Sequence, residues 1–175
     1  MHMSDAHVLL HLCRSFFICV CVRRSRDDAP MKLELEPIGI VHSPYKNRYE
    51  APPQGGEEVS EIVVFDEYEG GLKDIEGFSH LHILYYLHKS RGYSLSVKTP
   101  WDSEPHGLFA TRSPHRPNPI GYSVVELIKR DEKTLRVKGL DAIDGTLILD
   151  VKPYIPRIDT KPKAKGGWLE GKFKL

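Results

Sequence analysis

From residue 31 onward, apolar and polar residues exchange places with the two-residue period of strands. LELEPIGIVHS (33–43) alternates and then turns apolar, and EIVVFDE (61–67) is a short β-branched run. FSHLHILYYLH (78–88) is the most apolar stretch and reads as a strand buried on both faces. Residues 120–129, 134–139 and 146–151 complete the set, each rich in Val, Ile, Leu or Tyr, and Asp131-Glu132-Lys133 forms a tight polar link between two of them. Only residues 69–75 offer a short helix, weakened by Gly70-Gly71. Many short strands and little helix predict a mainly β, compact, single-sheet barrel-like domain.

Between the strands lie two long irregular segments, residues 44–59 and 89–106, of the kind that are functional or disordered. The end from Thr160 (TKPKAKGGWLEGKFKL) is Lys- and Gly-rich and reads as a mobile tail, with Trp168 and Phe173 able to dock on the body. Residues 1–30 break the pattern. VLLHLCRSFFICVCV (8–22) is apolar but interrupted by His11 and Arg14, and Arg23, Arg24 and Arg26 follow it. A signal peptide has the opposite charge order. The remaining readings are a short amphipathic or dimer-contact segment, or a start codon set too early with Met31 as the first residue. The expected division is therefore 1–30 outside the core, 31–160 the barrel domain and 161–175 the tail.

Charge narrows the partners. The chain carries 25 Lys+Arg against 24 Asp+Glu in 175 residues, so it has no global basic field and a nucleic-acid partner needs a local basic face. No apolar run reaches the roughly 18 residues of a membrane span. All three cysteines (Cys13, Cys19, Cys21) precede Met31, leaving the body without disulfides or thiolate metal sites, as in intracellular proteins.

The stretch GLFATRSPHRPNPIGYS (107–123) carries the chemistry. Pro114, Pro117 and Pro119 fix their own φ and restrict Ser113, Arg116 and Asn118, so the loop is stiff, and a stiff loop loses less entropy when it receives a ligand. Arg112 and Arg116 present planar forks suited to carboxylate or phosphate. The blander reading is a rigid turn with solvated charges. There is no Gly-rich phosphate or dinucleotide fingerprint. DAIDGT (141–146) is a hairpin signature whose Asp144 can also accept bonds from ribose hydroxyls or an amine. His80 and His82 are two apart on one strand and read as satisfied rim histidines. His88, at the strand end, is the better site candidate. A metal hydrolase built on His80, His82 and His88 is the weakest reading, lacking a carboxylate cluster. Pro153 ends the last strand, and Tyr154 beyond it is core or a stacking wall.

These residues together resemble the TsaA/TrmO family. The resemblance rests on PIGIVHSPYK with downstream Pro53-Gln54, on IEGFSHLHILYYLH, on GLFATRSPHRPNPIGYSVVEL and on GLDAIDGTLILDVKPYIPRID, in that order over residues 36–159. It implies a barrel-like fold unlike Rossmann-type methyltransferases, S-adenosylmethionine as cofactor, a homodimer, a cytoplasmic setting and tRNA as partner. The implied reaction is methylation of N6 of threonylcarbamoyladenosine beside the anticodon. The implied cofactor contacts are Gln54, Gly55, His88, Lys89, Arg112, Tyr122, Asp144, Gly145, Thr146 and Leu147. At Leu147 the chain departs from the family's usual Asp-Gly-Thr-Pro, which leaves the backbone there less constrained. Some bacterial members continue into a second C-terminal domain, where this chain has the Lys/Gly-rich tail.

A sulfonium methyl is already activated, so the transfer needs no metal, only alignment of donor and acceptor. A base that takes the proton of the weakly nucleophilic ureido nitrogen helps, and Asp144, His115 and Asp150 are the candidates. An unpaired loop base needs no duplex opening. The alternative is a noncatalytic module that binds S-adenosylmethionine or RNA and regulates.

Overall fold

A computed structural model describes residues 18–22, 31–52 and 55–172. The chain divides into two units, Met1–Pro37 and Ile38–Leu175. In the first, β1 (Ile18–Val22) and β2 (Met31–Leu35) pair antiparallel, with Ile18 opposite Leu35 and Val22 opposite Met31. β1 falls in the segment expected to stay outside the core. The rest of that segment lies outside the described residues.

In chain order the second unit contains β3 (Gly39–His42), β4 (Val59–Val64), β5 (His80–Tyr86), β6 (Ser96–Thr99), β7 (Asp102–Gly107), β8 (Ile120–Asp131), β9 (Thr134–Lys138), β10 (Leu147–Pro153) and the single turn α1 (Pro156–Asp159). Six of the strands close into an antiparallel barrel in the order β10-β3-β4-β9-β8-β5. Closure removes free edges. It also lets each strand turn alternate residues inward, as in Leu81, Ile83 and Tyr85 on β5, Val125 on β8, Leu135 and Val137 on β9, and Ile62 and Val64 on β4. Each fully buried Leu or Ile of this core contributes about 1.5–3 kcal/mol relative to exposure. Bulges at Leu127/Lys129 of β8 and Ile148/Asp150 of β10 bend the strands round the barrel.

The mainly β barrel expected from the alternation is what forms. Four details differ. The 78–88 segment is not buried on both faces: Leu81, Ile83 and Tyr85 face the core while His80 is exposed and His82, Leu84 and Tyr86 are half-buried. The irregular segment 89–106 contains the β6–β7 hairpin, a separate two-stranded sheet that tolerates Pro105 because it has no central strand. The tail is docked: Trp168 stacks on His106 with centroids 3.8 Å apart, its Nε1–H donates to the Ala110 carbonyl at 2.8 Å, and the Lys172 ammonium reaches the Asp102 carboxylate. Phe173 lies outside the described residues. Residues 66–77 hold two short 3-10 turns, Asp66–Leu72 and Ile75–Gly77, in place of a regular helix. Among the described residues no helix is long and apolar enough to cross a membrane.

Candidate functional site

β3 and β5 finish, and β8 and β10 begin, at one end of the barrel. The connections there, with the Pro-rich loop, enclose a cavity of about 570 Å³. Small-ligand sites span roughly 300–1,000 Å³. At its floor Tyr85 and Asp141 are joined to Ser123 behind them in a polar chain. The Tyr85 hydroxyl donates to Asp141 Oδ1 at 2.6 Å, the Ser123 hydroxyl donates to the same oxygen, and Tyr85 Oη and Ser123 Oγ are 3.3 Å apart. Tyr85 sits directly opposite Gly121 in the β5–β8 register. A Cβ at Gly121 would come within 2.1 Å of the Tyr85 ring, so glycine is what lets the ring lie across β8. Burial, then the Asp141 charge, push the Tyr85 phenol far above its ordinary range, and it remains a donor.

The wall opposite the core is cationic. Arg48, Lys89, Arg112 and Arg116 line the cavity, against Asp141 as the lining carboxylate. The two arginines of the Pro-rich loop, expected as a pair of anion forks, divide their work. Arg116 donates to the carbonyls of Thr111 (3.0 Å), Leu108 (3.4 Å) and Ser113 (3.5 Å) and so ties the loop into shape. The exposed Arg112 guanidinium has no hydrogen-bond or ion-pair partner among the described residues, and Arg112 lines the cavity. His115 shares the loop: its Nδ1 is 3.1 Å from the Ser90 hydroxyl, which donates to the Pro114 carbonyl at 2.8 Å. His88 lies across from Thr146, with Nδ1 3.5 Å from Thr146 Oγ1. Burial, then the Lys89 charge, hold its pKa below the usual imidazole range, which favours the neutral ring.

Of the residues implied by resemblance, His88, Lys89, Arg112, Tyr122 and Thr146, with His115, converge on this cavity. Gly145, Leu147 and Gly55 are not in its lining. Gly145 turns the chain at φ +76°, Leu147 opens β10 opposite Ile40, and Gly55 (φ +66°) belongs to the loop before β4. Gln54 lies outside the described residues. Asp144 turns away from the cavity. Its carboxylate accepts from the Ser43 N–H at 3.0 Å and the Lys46 ammonium at 3.0 Å, which, in that order, hold its pKa below the carboxylate range. It lines a second, open depression with His42, Lys46 and Arg136. Asp150 stands on the barrel wall opposite Leu84 and pairs with Lys152 at 2.6 Å. Tyr85, Ser90, Arg48 and Asp141 are site residues that the sequence reading passed over.

On the outer face of β5 and β8 a second polar chain forms. The Tyr122 hydroxyl and His82 Nδ1 are 2.9 Å apart with their rings stacked, and His82 Nε2 is 3.1 Å from Asp159 Oδ2 on α1. Tyr154 packs against His82 at 5.3 Å and His80 at 6.1 Å. Among the described residues no group of three or more His, Cys, Asp or Glu is arranged to hold a metal ion.

The family described as tRNA-methyltransferase O N-terminal domain matches residues 40–160, which include the whole cavity wall. The chain belongs to that family. It is 54% identical over 142 residues to a probable S-adenosyl-L-methionine-binding protein of Archaeoglobus fulgidus, covering 80% of this chain and 39% of the relative. It is 35% identical over 151 residues to the tRNA (adenine(37)-N6)-methyltransferase of Escherichia coli, covering 78% of this chain and 64% of that enzyme. The crystal structure of TrmO from Pseudomonas aeruginosa superposes with a TM-score of 0.66 at 30% identity, covering 79% of this chain and 63% of that one. The chain thus spans less than two thirds of the length of each of these three.

Proposed function

We propose that this protein is an S-adenosylmethionine-dependent tRNA methyltransferase acting on N6 of threonylcarbamoyladenosine beside the anticodon. The observation that carries the reading is the cavity itself, with a cationic rim, a half-buried carboxylate at its floor and a guanidinium left over. The residues fit the cofactor's chemistry. Arg112 offers a fork to its carboxylate, Asp141 and Thr146 offer acceptors and a hydroxyl to its ammonium or ribose, and Leu87, Ala142 and Ile143 offer apolar walls to its purine. When bound, S-adenosylmethionine supplies an activated methyl group. The protein holds the acceptor in line, and the stiff loop limits the entropy lost in doing so. Of the three candidate bases, His115 has a cavity-facing position, whereas Asp144 is engaged by Lys46 and Asp150 by Lys152. His115 is therefore the residue proposed to take the nitrogen's proton.

The same reading includes a homodimer. Ile120, Tyr122 and Val124 form an exposed row on the outer face of β8, 40%, 45% and 39% exposed, and the first two also line the cavity. A second copy seated on that row would bury it and complete the cavity wall, and sedimentation of Val124→Asp as a monomer would support this.

The test uses labelled S-adenosylmethionine and tRNA from cells lacking the protein, followed by nucleoside analysis. The expected product is methylated threonylcarbamoyladenosine. Arg112→Lys should weaken cofactor binding at least tenfold in calorimetry. His115→Gln should leave cofactor binding intact and lower kcat by about 10²-fold or more. Cofactor binding without methyl transfer to any tRNA would leave the noncatalytic binding module as the function.

A further inference from the structure

Two aromatic rings beside the cavity stand in water where a folded chain normally hides them. Tyr49 is 82% exposed and Phe109 is 73% exposed. Each lies under a cavity-lining arginine. The Arg48 Cζ is 4.6 Å from the Tyr49 centroid, and the Arg116 Cζ is 5.6 Å from the Phe109 centroid. Neither ring is on a loose segment. The Tyr49 N–H donates to Asn47 Oδ1 at 2.9 Å, the Glu50 N–H to the Asn47 carbonyl at 3.2 Å, and the Lys46 N–H to Glu50 Oε2 at 2.6 Å. Phe109 sits in a 3-10 turn (Leu108–Ala110) whose last carbonyl accepts the Trp168 indole N–H at 2.8 Å. The backbone under both rings is tied down before any partner arrives.

A ring with one face under a guanidinium and most of its surface in solvent matches an unpaired nucleobase. Bases stack on aromatic faces and on arginine planes, and the guanidiniums meet the phosphates between them. An apolar protein segment would instead need a groove, and these rings protrude. We propose that Tyr49 and Phe109 are stacking platforms for unpaired nucleotides neighbouring the base that enters the cavity, so that the rim grips the single-stranded loop while the cavity takes the target. This rests on the tRNA reading above and specifies how the RNA is held.

The experiment uses the full chain and an anticodon stem-loop RNA with 2-aminopurine at loop positions next to the target adenosine. Wild-type protein should quench that fluorescence on binding. Tyr49→Ala and Phe109→Ala should each weaken RNA binding about tenfold, with loss of quenching at one position, while the slope of affinity against salt stays unchanged. Tyr49→Phe and Phe109→Trp should restore both. Unaltered calorimetric binding of S-adenosylmethionine by the alanine variants checks that the fold is intact. RNA affinity of both alanine variants within twofold of wild type, with quenching retained, overturns the platforms while leaving the methyltransferase reading in place. Wild-type protein that binds no stem-loop overturns both.

Discussion

The two faces of the β5–β8 pair carry polar chains of the same length and opposite character. Inside, Tyr85 and Ser123 are buried, 3% and 4% exposed, and the Asp141 they donate to is half-buried at the cavity floor. Outside, Tyr122, His82 and Asp159 repeat the phenol-to-carboxylate arrangement through an imidazole, near solvent. The phenol of the inner chain is vulnerable to base. The raised phenol pKa of Tyr85 means its contribution is fully present below its unfolded value, about 10, and is lost as pH rises through the folded value. The outer chain is the reverse. The Ile155 N–H, then His82, hold Asp159 below the ordinary range, so its contribution is present above about pH 4 and is lost as pH falls through the lowered value. A strand pair in unbroken register from His80 to Tyr86 thus carries a base-sensitive group on one face and an acid-sensitive group on the other.

Three substitutions probe that contrast. Gly121→Ala should be the most damaging, because its Cβ would meet Tyr85 Cε2 at 2.1 Å and drive the ring out of the inner chain. A loss of about 3 kcal/mol, or roughly 10 °C in Tm, is expected in thermal melts. A variant as stable as wild type would mean that the ring moves without cost. Tyr85→Phe keeps the ring and removes the donor to Asp141. It should lose about 2 kcal/mol at neutral pH, and the alkaline decline in Tm above pH 10 should flatten. Asp159→Asn should shift Tm less than Tyr85→Phe, and its effect should fade only as pH falls through the lowered Asp159 pKa, below the ordinary carboxylate range, where the wild-type carboxyl is itself protonated. If the aspartate variant instead changed the alkaline limb, the two faces would be coupled through the strands.

Much of this architecture was legible in the residues. The period-2 runs gave the barrel strands, and the prolines of the 107–123 loop marked a stiff wall. His88, Arg112, His115, Tyr122 and Thr146 reach the cavity because strand ends and turns are where side chains can face a ligand. Other features had no local signal. Tyr85 sits in the most apolar segment and looks like core, and only its cross-strand partner Gly121 and the distant Asp141 make it part of a site. Asp144, the more prominent acid of the DAIDGT turn, is drawn away by Ser43 and Lys46, residues about a hundred positions earlier. Arg112 and Arg116 are indistinguishable by type, and their roles separate only when the loop's carbonyls fold back on one of them. The β6–β7 hairpin escaped because neither strand has a buried residue to create an alternation.

The ring of strands is not equally fastened all the way round. β5 and β8 face each other from His80 opposite Glu126 to Tyr86 opposite Ile120, whereas β10 and β3 share only two paired positions, Leu147 opposite Ile40 and Ile148 opposite Gly39, extended by backbone bonds from the Ile38 N–H to the Ile148 carbonyl at 2.8 Å, from Val41 to Thr146 at 2.9 Å and from Gly145 to Val41 at 2.9 Å. That short seam is the place where the ring unclasps first, turning a closed cylinder into a curled ribbon with two raw borders, and raw borders recruit other strands. Because Thr146 belongs to both the seam and the cavity, anything lodged against it doubles as a fastener, so the protein's resistance to clumping on storage rises and falls with how full its pocket is.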